Sequence, residues 1–120
     1  MNLGVIGKTA EDKTAAFLRK NGYKVIKRNH SCRFGEIDII AEYKEYIVFV
    51  EVKARKADSI VTPAEAVDGY KAQRIMLTAG DYISKTYCSL QPRFDIAEVT
   101  VTEDKNGEQK YSLHYIANAF

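Results

Sequence analysis

The sequence predicts an α/β fold, a mixed β-sheet flanked by helices in the order αβββαββ, and three observations carry that prediction. The apolar spacing changes from a helical to a two-residue period at Tyr23, and back to a helical one after Val61. Between those two points, three successive strand-like runs read as a meander. The run YIVFVEVKA, residues 46–54, begins apolar on both faces, as a strand covered from both sides must.

The first helix is expected from about Thr9 to Asn21, with Thr9 as N-cap, Asp12 at the capping-box distance and Gly22 as the left-handed stop. Its apolar stripe includes Ala15 and Leu18, and Glu11 shares that stripe, four residues before one and seven before the other. A strand follows over YKVIKRN, then a polar loop with His30, Cys32 and Arg33, then a second strand over GEIDIIA. A short EYKE turn opens the third strand, where Tyr46, Val48, Val50 and Val52 face one side and Ile47, Phe49, Glu51 and Lys53 the other. After the loop ARKADSIV, TPAE supplies an N-cap at Thr62, proline at the first helical position and glutamate at the capping-box position. The helical pattern runs to about Lys85 with an interruption near Gly69; Ala72, Ile75, Ala79 and Ile83 form the core stripe, and Lys71, Arg74 and Thr78 the adjoining one. Two last strands, RFDIAEVTV and KYSLHYI, flank the hairpin signal Asn106-Gly107.

A chain of 120 residues, 46% hydrophobic and 28% charged, has the size and composition of one compact domain, here residues 1–120. A net charge of +2 means that any basic surface must come from clustering. No apolar run approaches the roughly 20 residues that cross a bilayer, and no secretory signal pattern opens the chain. A cytoplasmic protein away from membranes is expected, with Cys32 and Cys88 reduced. Neither cysteine stands at zinc-site spacing from His30 or His114. GVIGKT, residues 4–9, mimics a phosphate-binding loop but has no room for a preceding strand.

The chemistry-bearing residues sit on the second and third strands. With a four-residue turn from Tyr43 to Tyr46, counting back places Asp38 opposite Glu51 and Glu36 opposite Lys53. Opposed carboxylates repel, and a divalent cation reverses the sign of that interaction. Lys53, two residues beyond Glu51 on the same face, could orient a water or stabilise charge on a phosphate in transfer. The spacing therefore fits phosphodiester hydrolysis assisted by Mg²⁺ or Mn²⁺. The plain alternative is a salt-bridge cluster on a solvated sheet face. Against it, these charges interrupt strands that are otherwise apolar on both faces, and Glu11 adds an acid on an apolar helical face.

GKTAE at residues 7–11, GYKVIKRN at 22–29, GEIDII at 35–40, VFVEVKAR at 48–55, Lys71, RFD at 93–95 and HYIANAF at the C-terminus together resemble the YraN-like family of bacterial proteins. That family is placed in the PD-(D/E)XK restriction-endonuclease-like superfamily, beside the archaeal Holliday junction resolvases. The resemblance implies a restriction-endonuclease-like mixed sheet, Asp38 and Glu51 as metal ligands, Lys53 as the catalytic lysine, and Glu11 as the helical acid completing the catalytic and metal site. Ile37 stands where the superfamily's proline would be, and Ala10 where many relatives have a second glycine; neither change removes a ligand.

Arg33, Arg55, Lys71 and Arg74 are the expected nucleic-acid contacts, with Arg55 leaving the third strand on the face of Lys53. Arg93 and Asp95 read as a structural ion pair across Phe94. The expected function is a metal-dependent nuclease-like protein hydrolysing DNA, in branched or damaged substrates; the competing one is a catalytically silent nucleic-acid-binding or protein-interaction module of the same fold. A homodimer is implied only through the resemblance to resolvases, since cutting two symmetric strands needs two sites.

Overall fold

The structure, a computed structural model, describes residues 3–57 and 68–120. Helix α1 spans Leu3–Lys20, β1 Lys24–Cys32, β2 Gly35–Tyr43, β3 Tyr46–Lys56, α2 Gly69–Thr86, β4 Gln91–Glu103 and β5 Gln109–Ile116. The order is αβββαββ, as expected. The strands form one five-stranded sheet in chain order. Neighbours are antiparallel except β3 and β4, which are parallel. No tight turn can join parallel neighbours, and α2 lies in the crossover between them.

Alternation along β3 divides the core into two layers. On the α1 side, Ala15 and Leu18 pack on Ile39, Val48, Val50 and Ala97; on the α2 side, Ile75 and Ala79 pack on Ile37, Ile40, Ile47 and Phe49. Both faces of β3 are therefore covered, and its residues Ile47–Val50 are fully buried.

Helix α1 starts earlier than Thr9. Ile6, Ala10, Thr14 and Leu18 are buried at four-residue spacing, so the stripe gains a full turn at its N-terminal end. Burying Ile6 outweighs the roughly 1 kcal/mol that a glycine such as Gly7 costs inside a helix. Thr9 is consequently an interior residue and no Thr9–Asp12 capping box forms; Asp12 instead binds Arg28 and Lys8. The stop is as expected: Gly22 takes φ 87°, Tyr23 N donates to Leu18 O at 2.9 Å and Gly22 N to Arg19 O at 3.2 Å.

The polar stretch after Asn29 is strand rather than loop. β1 continues through His30 to Cys32, pairing with Ile37 and Gly35 across a tight Arg33-Phe34 turn. Two irregularities permit this: a register shift between Val25 and Lys27, and a left-handed Asn29 at φ 54°.

The helix start expected at Thr62, Pro63 and Glu65 lies outside the described residues. Within them α2 begins at Gly69, with the Asp68 carboxylate accepting from Lys71 N at 2.9 Å. Thr78, placed on the polar stripe by spacing, is buried and donates to Arg74 O at 2.8 Å. At the β4–β5 hairpin, Asp104 accepts from Asn106 N and Glu108 N, and Gly107 supplies φ 77°. No described helix is long and apolar enough to cross a membrane.

Candidate functional site

The β2–β3 ladder runs from Tyr43↔Tyr46 to Ile39↔Val50. Where the pairing ends, the Asp38 carboxylate takes the place of a backbone acceptor: its Oδ2 receives Val52 N at 2.7 Å. Ile37 and Ile40, three residues apart, both pack on the α2 side, so β2 turns about its axis at Asp38. Strict alternation would put Asp38 on the face of Glu51. The turn in the strand places its carboxylate between β2 and β3 instead, against the peptide that links Glu51 to Val52.

Glu51 and Lys53 continue the α2-side alternation of Ile47 and Phe49. Glu51 is buried at 8% exposure, and a single oxygen, Oε1, receives two ammonium groups: Lys53 Nζ at 3.1 Å and Lys71 Nζ, from the first turn of α2, at 3.0 Å. Glu11 is held apart from this pair. Its Oε1 accepts from Arg28 Nε at 2.8 Å and Asn29 Nδ2 at 3.1 Å. Among the described residues no three acidic, histidine or cysteine side chains are grouped closely enough to form a ready-made metal cage.

A cavity of about 640 Å³ opens between the N-terminal half of α1 and the end of β3. Asp38 and Glu11 line it, with Lys8, Arg28, Lys53, Arg55 and Lys56 as the basic wall. Arg33 and Arg74 lie elsewhere, exposed, each over an aromatic ring: Arg33 at 4.7 Å from the centroid of Phe34 and Arg74 at 5.7 Å from that of Tyr70. Of the four expected nucleic-acid contacts, Arg55 thus joins the cavity and Lys71 joins Glu51, while Arg33 and Arg74 stand beyond it.

The electrostatics separate the two central acids. Burial pushes Asp38 up to about 7, and the neighbouring charge of Glu51 adds to the effect; the Val52 hydrogen bond opposes it. Among the described residues Asp38 has no ion-pair partner. Glu51 is also raised by burial, but Lys71 pulls the other way through its hydrogen bond and its charge. A buried carboxylate, Glu51, and a partly buried one without an ion-pair partner among the described residues, Asp38, are hard oxygen donors that a divalent cation would relieve. Asp38 and Glu51 therefore fit Mg²⁺ or Mn²⁺, which commonly takes one or two protein carboxylates and fills its remaining positions with water and phosphate. Glu11 is already committed to Arg28 and Asn29.

The profile described as "Uncharacterised protein family UPF0102" matches residues 10–99. The chain belongs to the UPF0102 family. It is 44% identical to a UPF0102 protein of Caldanaerobacter subterraneus subsp. tengcongensis, over all of this chain and 98% of that one. It is 42% identical to one of Clostridium acetobutylicum over 95% of this chain and 92% of that one, and 48% identical to one of Pseudothermotoga lettingae over 78% and 86%. The UPF0102 match takes in Glu11, Asp38, Glu51, Lys53 and Lys71 together with Arg33, Arg55 and Arg74.

Spacing alone did not single out Arg28 and Asn29, which bind Glu11, or Lys8, which joins the basic wall. Arg28 reaches Glu11 from the irregular stretch of β1, and the bulge that brings it there has no glycine or proline to mark it. The clue within the sequence was KRN itself, three consecutive polar residues that follow the apolar pair Val25-Ile26.

Proposed function

We propose that this UPF0102 chain is a metal-dependent nuclease that hydrolyses phosphodiester bonds in DNA, in branched or damaged substrates, using Mg²⁺ or Mn²⁺. The observation that carries the reading is Asp38: a partly buried acid without an ion-pair partner among the described residues, seated where two strands part, beside Glu51 and in a cavity walled by five basic side chains. A fold stabilised only by its own contacts gains nothing from such a residue, whereas a site for a cation and a phosphate needs one.

Asp38 and Glu51 are the residues that would hold the cation, which when bound supplies charge to polarise the phosphate and to activate a water. Lys53, partly buried beside Glu51, offsets negative charge on the phosphate in transfer and orients the attacking water. Arg28, Arg55, Lys8 and Lys56 take the flanking phosphates. Glu11 orients the Arg28 guanidinium at the cavity wall through their 2.8 Å contact. Arg33 and Arg74 extend the contact surface to more distant phosphates, and a homodimer would present two such sites to a symmetric junction.

One observation favours the silent binding module: each acid except Asp38 already has basic or amide partners. The two readings part in a single experiment. Duplex, single-stranded and four-way-junction DNA are incubated with the protein in Mn²⁺ or EDTA, beside Asp38→Asn. The nuclease reading expects Mn²⁺-dependent cleavage, at least about 100-fold lower in the variant. Salt-sensitive binding unchanged by metal, with no cleavage of any substrate, would establish the module.

A further inference from the structure

Lys53 and Lys71 share one oxygen of Glu51, while Asp38, close enough to feel Glu51's charge, receives neither. Two ammonium groups on one carboxylate oxygen occupy the position a dication would take, and their charge opposes its entry. The lysines differ in their freedom to leave. Lys53 is anchored in β3 with its side chain 17% exposed, whereas Lys71, one turn into α2, is 38% exposed. Its backbone stays fixed by the Asp68 cap, so its four-carbon stem can swing outward without disturbing the helix.

We infer that Lys71 is a built-in competitor of the metal, a positioning residue that occupies Glu51 while the site is empty and gives it up when a dication binds. The inference rests on the nuclease reading and specifies how its site is regulated. Lys71 keeps Glu51 charged and correctly placed without a cation, and offsets its repulsion with the neighbouring Asp38. It also makes the site bind metal weakly on its own. A phosphate arriving with the cation gives the displaced ammonium a new partner, so metal and DNA are taken up together. Lys71 thereby discriminates against metal without substrate.

The test is Mn²⁺ titration by calorimetry at pH 8, without DNA, of the wild type, Lys71→Met, Lys71→Gln and Asp38→Asn. Both Lys71 variants are expected to bind Mn²⁺ about tenfold or more tightly than wild type. They should also lose most of the affinity gain that a non-cleavable phosphorothioate oligonucleotide gives the wild type. A residue that merely pins α2 to β3 would change the melting temperature in EDTA and leave Mn²⁺ affinity where it was. Wild-type binding abolished by Asp38→Asn but unaffected or weakened by both Lys71 substitutions would overturn the inference and leave the metal site standing. Mn²⁺ uptake in none of the proteins, or equal uptake in Asp38→Asn, would overturn the site itself and this inference with it.

Discussion

Two aspartates on the same sheet, Asp95 fully buried and Asp38 partly so, resolve the cost of desolvating a charge in opposite ways. Asp95 on β4 is fully buried and accepts four hydrogen bonds: two from Arg93 at 3.0 and 2.7 Å, one from Tyr115 Oη at 2.6 Å and one from Asn118 N at 2.9 Å. Arg93 in turn donates to Tyr23 Oη at 2.6 Å and lies among the rings of Tyr23, Tyr43 and Tyr46. The carboxylate holds Arg93 more firmly protonated than usual; burial first, and then the hydrogen bond to Asp95, does the same for Tyr115. Asp38, on β2, has one backbone hydrogen bond and no ion pair among the described residues. The chain can thus neutralise a buried carboxylate completely, as the closed network on β4 demonstrates. On the proposed reading, its open counterpart is the place where an external cation would act.

The largest effect should come from breaking the closed network. Arg93→Met leaves buried Asp95 with the Tyr115 hydroxyl and the Asn118 N–H but no counter-ion, and removing one partner of such a pair costs about 3–5 kcal/mol. Chemical denaturation should report that loss equally in Mn²⁺ and in EDTA. A smaller loss, or one that metal repairs, would erase the distinction between the two acids.

Asp38→Asn should act with the opposite sign. Folded Asp38 keeps its proton up to about pH 7, whereas the unfolded chain releases it near the ordinary value of about 4. Between those values the folded state binds more protons, so the share of stability owed to protonated Asp38 is intact below about pH 4 and is lost as pH rises through 7. An asparagine can still accept Val52 N but carries no charge. In EDTA at pH 8 the variant should be more stable than wild type by on the order of 2–4 kcal/mol, with the difference vanishing near pH 4. Equal stability across that range would mean that Asp38 is not an uncompensated charge.

His30 sharpens the comparison as a buried polar group with no role at the site. Neither ring nitrogen has a hydrogen-bond partner among the described residues, and the ring packs edge-on against Tyr82 at 5.3 Å. Burial lowers its pKa; Lys27 and Lys85 act in the same direction and Asp81 against it. The folded state therefore disfavours the imidazolium, and stability falls as pH drops below about 6.5, where the unfolded chain begins to take up the proton. His30→Phe should remove that slope and gain about 1 kcal/mol at pH 5. Guanidinium melts at pH 5 and 8 decide this, and an unchanged slope would show that His30 is not its source.

The element order was legible because each element announces its period over many residues: α1 by its four-residue apolar stripe, β3 by two apolar faces, the last hairpin by Asn106-Gly107. Glu11, Asp38, Glu51 and Lys53 were legible as charges interrupting apolar patterns. What escaped depended on backbone departures from ideal periods. The rotation of β2 at Asp38, the shift in β1 between Val25 and Lys27, and the left-handed Asn29 carry no local signal, yet they set where Asp38 and Arg28 point. The start of α1 escaped because Gly4 and Gly7 argue locally against a helix that tertiary burial of Ile6 favours.

The central claim is that Asp38 is a partly buried, desolvated acid whose missing partner is a divalent cation. Carboxyl ¹³C NMR titration, with Asp38 assigned by comparison with Asp38→Asn, reads it directly. Without metal, Asp38 should titrate with a midpoint of about 7, and saturating Mg²⁺ should pull that midpoint well below, since a bound cation favours the ionised form. A midpoint near the ordinary carboxylate value of about 4, unmoved by Mg²⁺, would contradict the account.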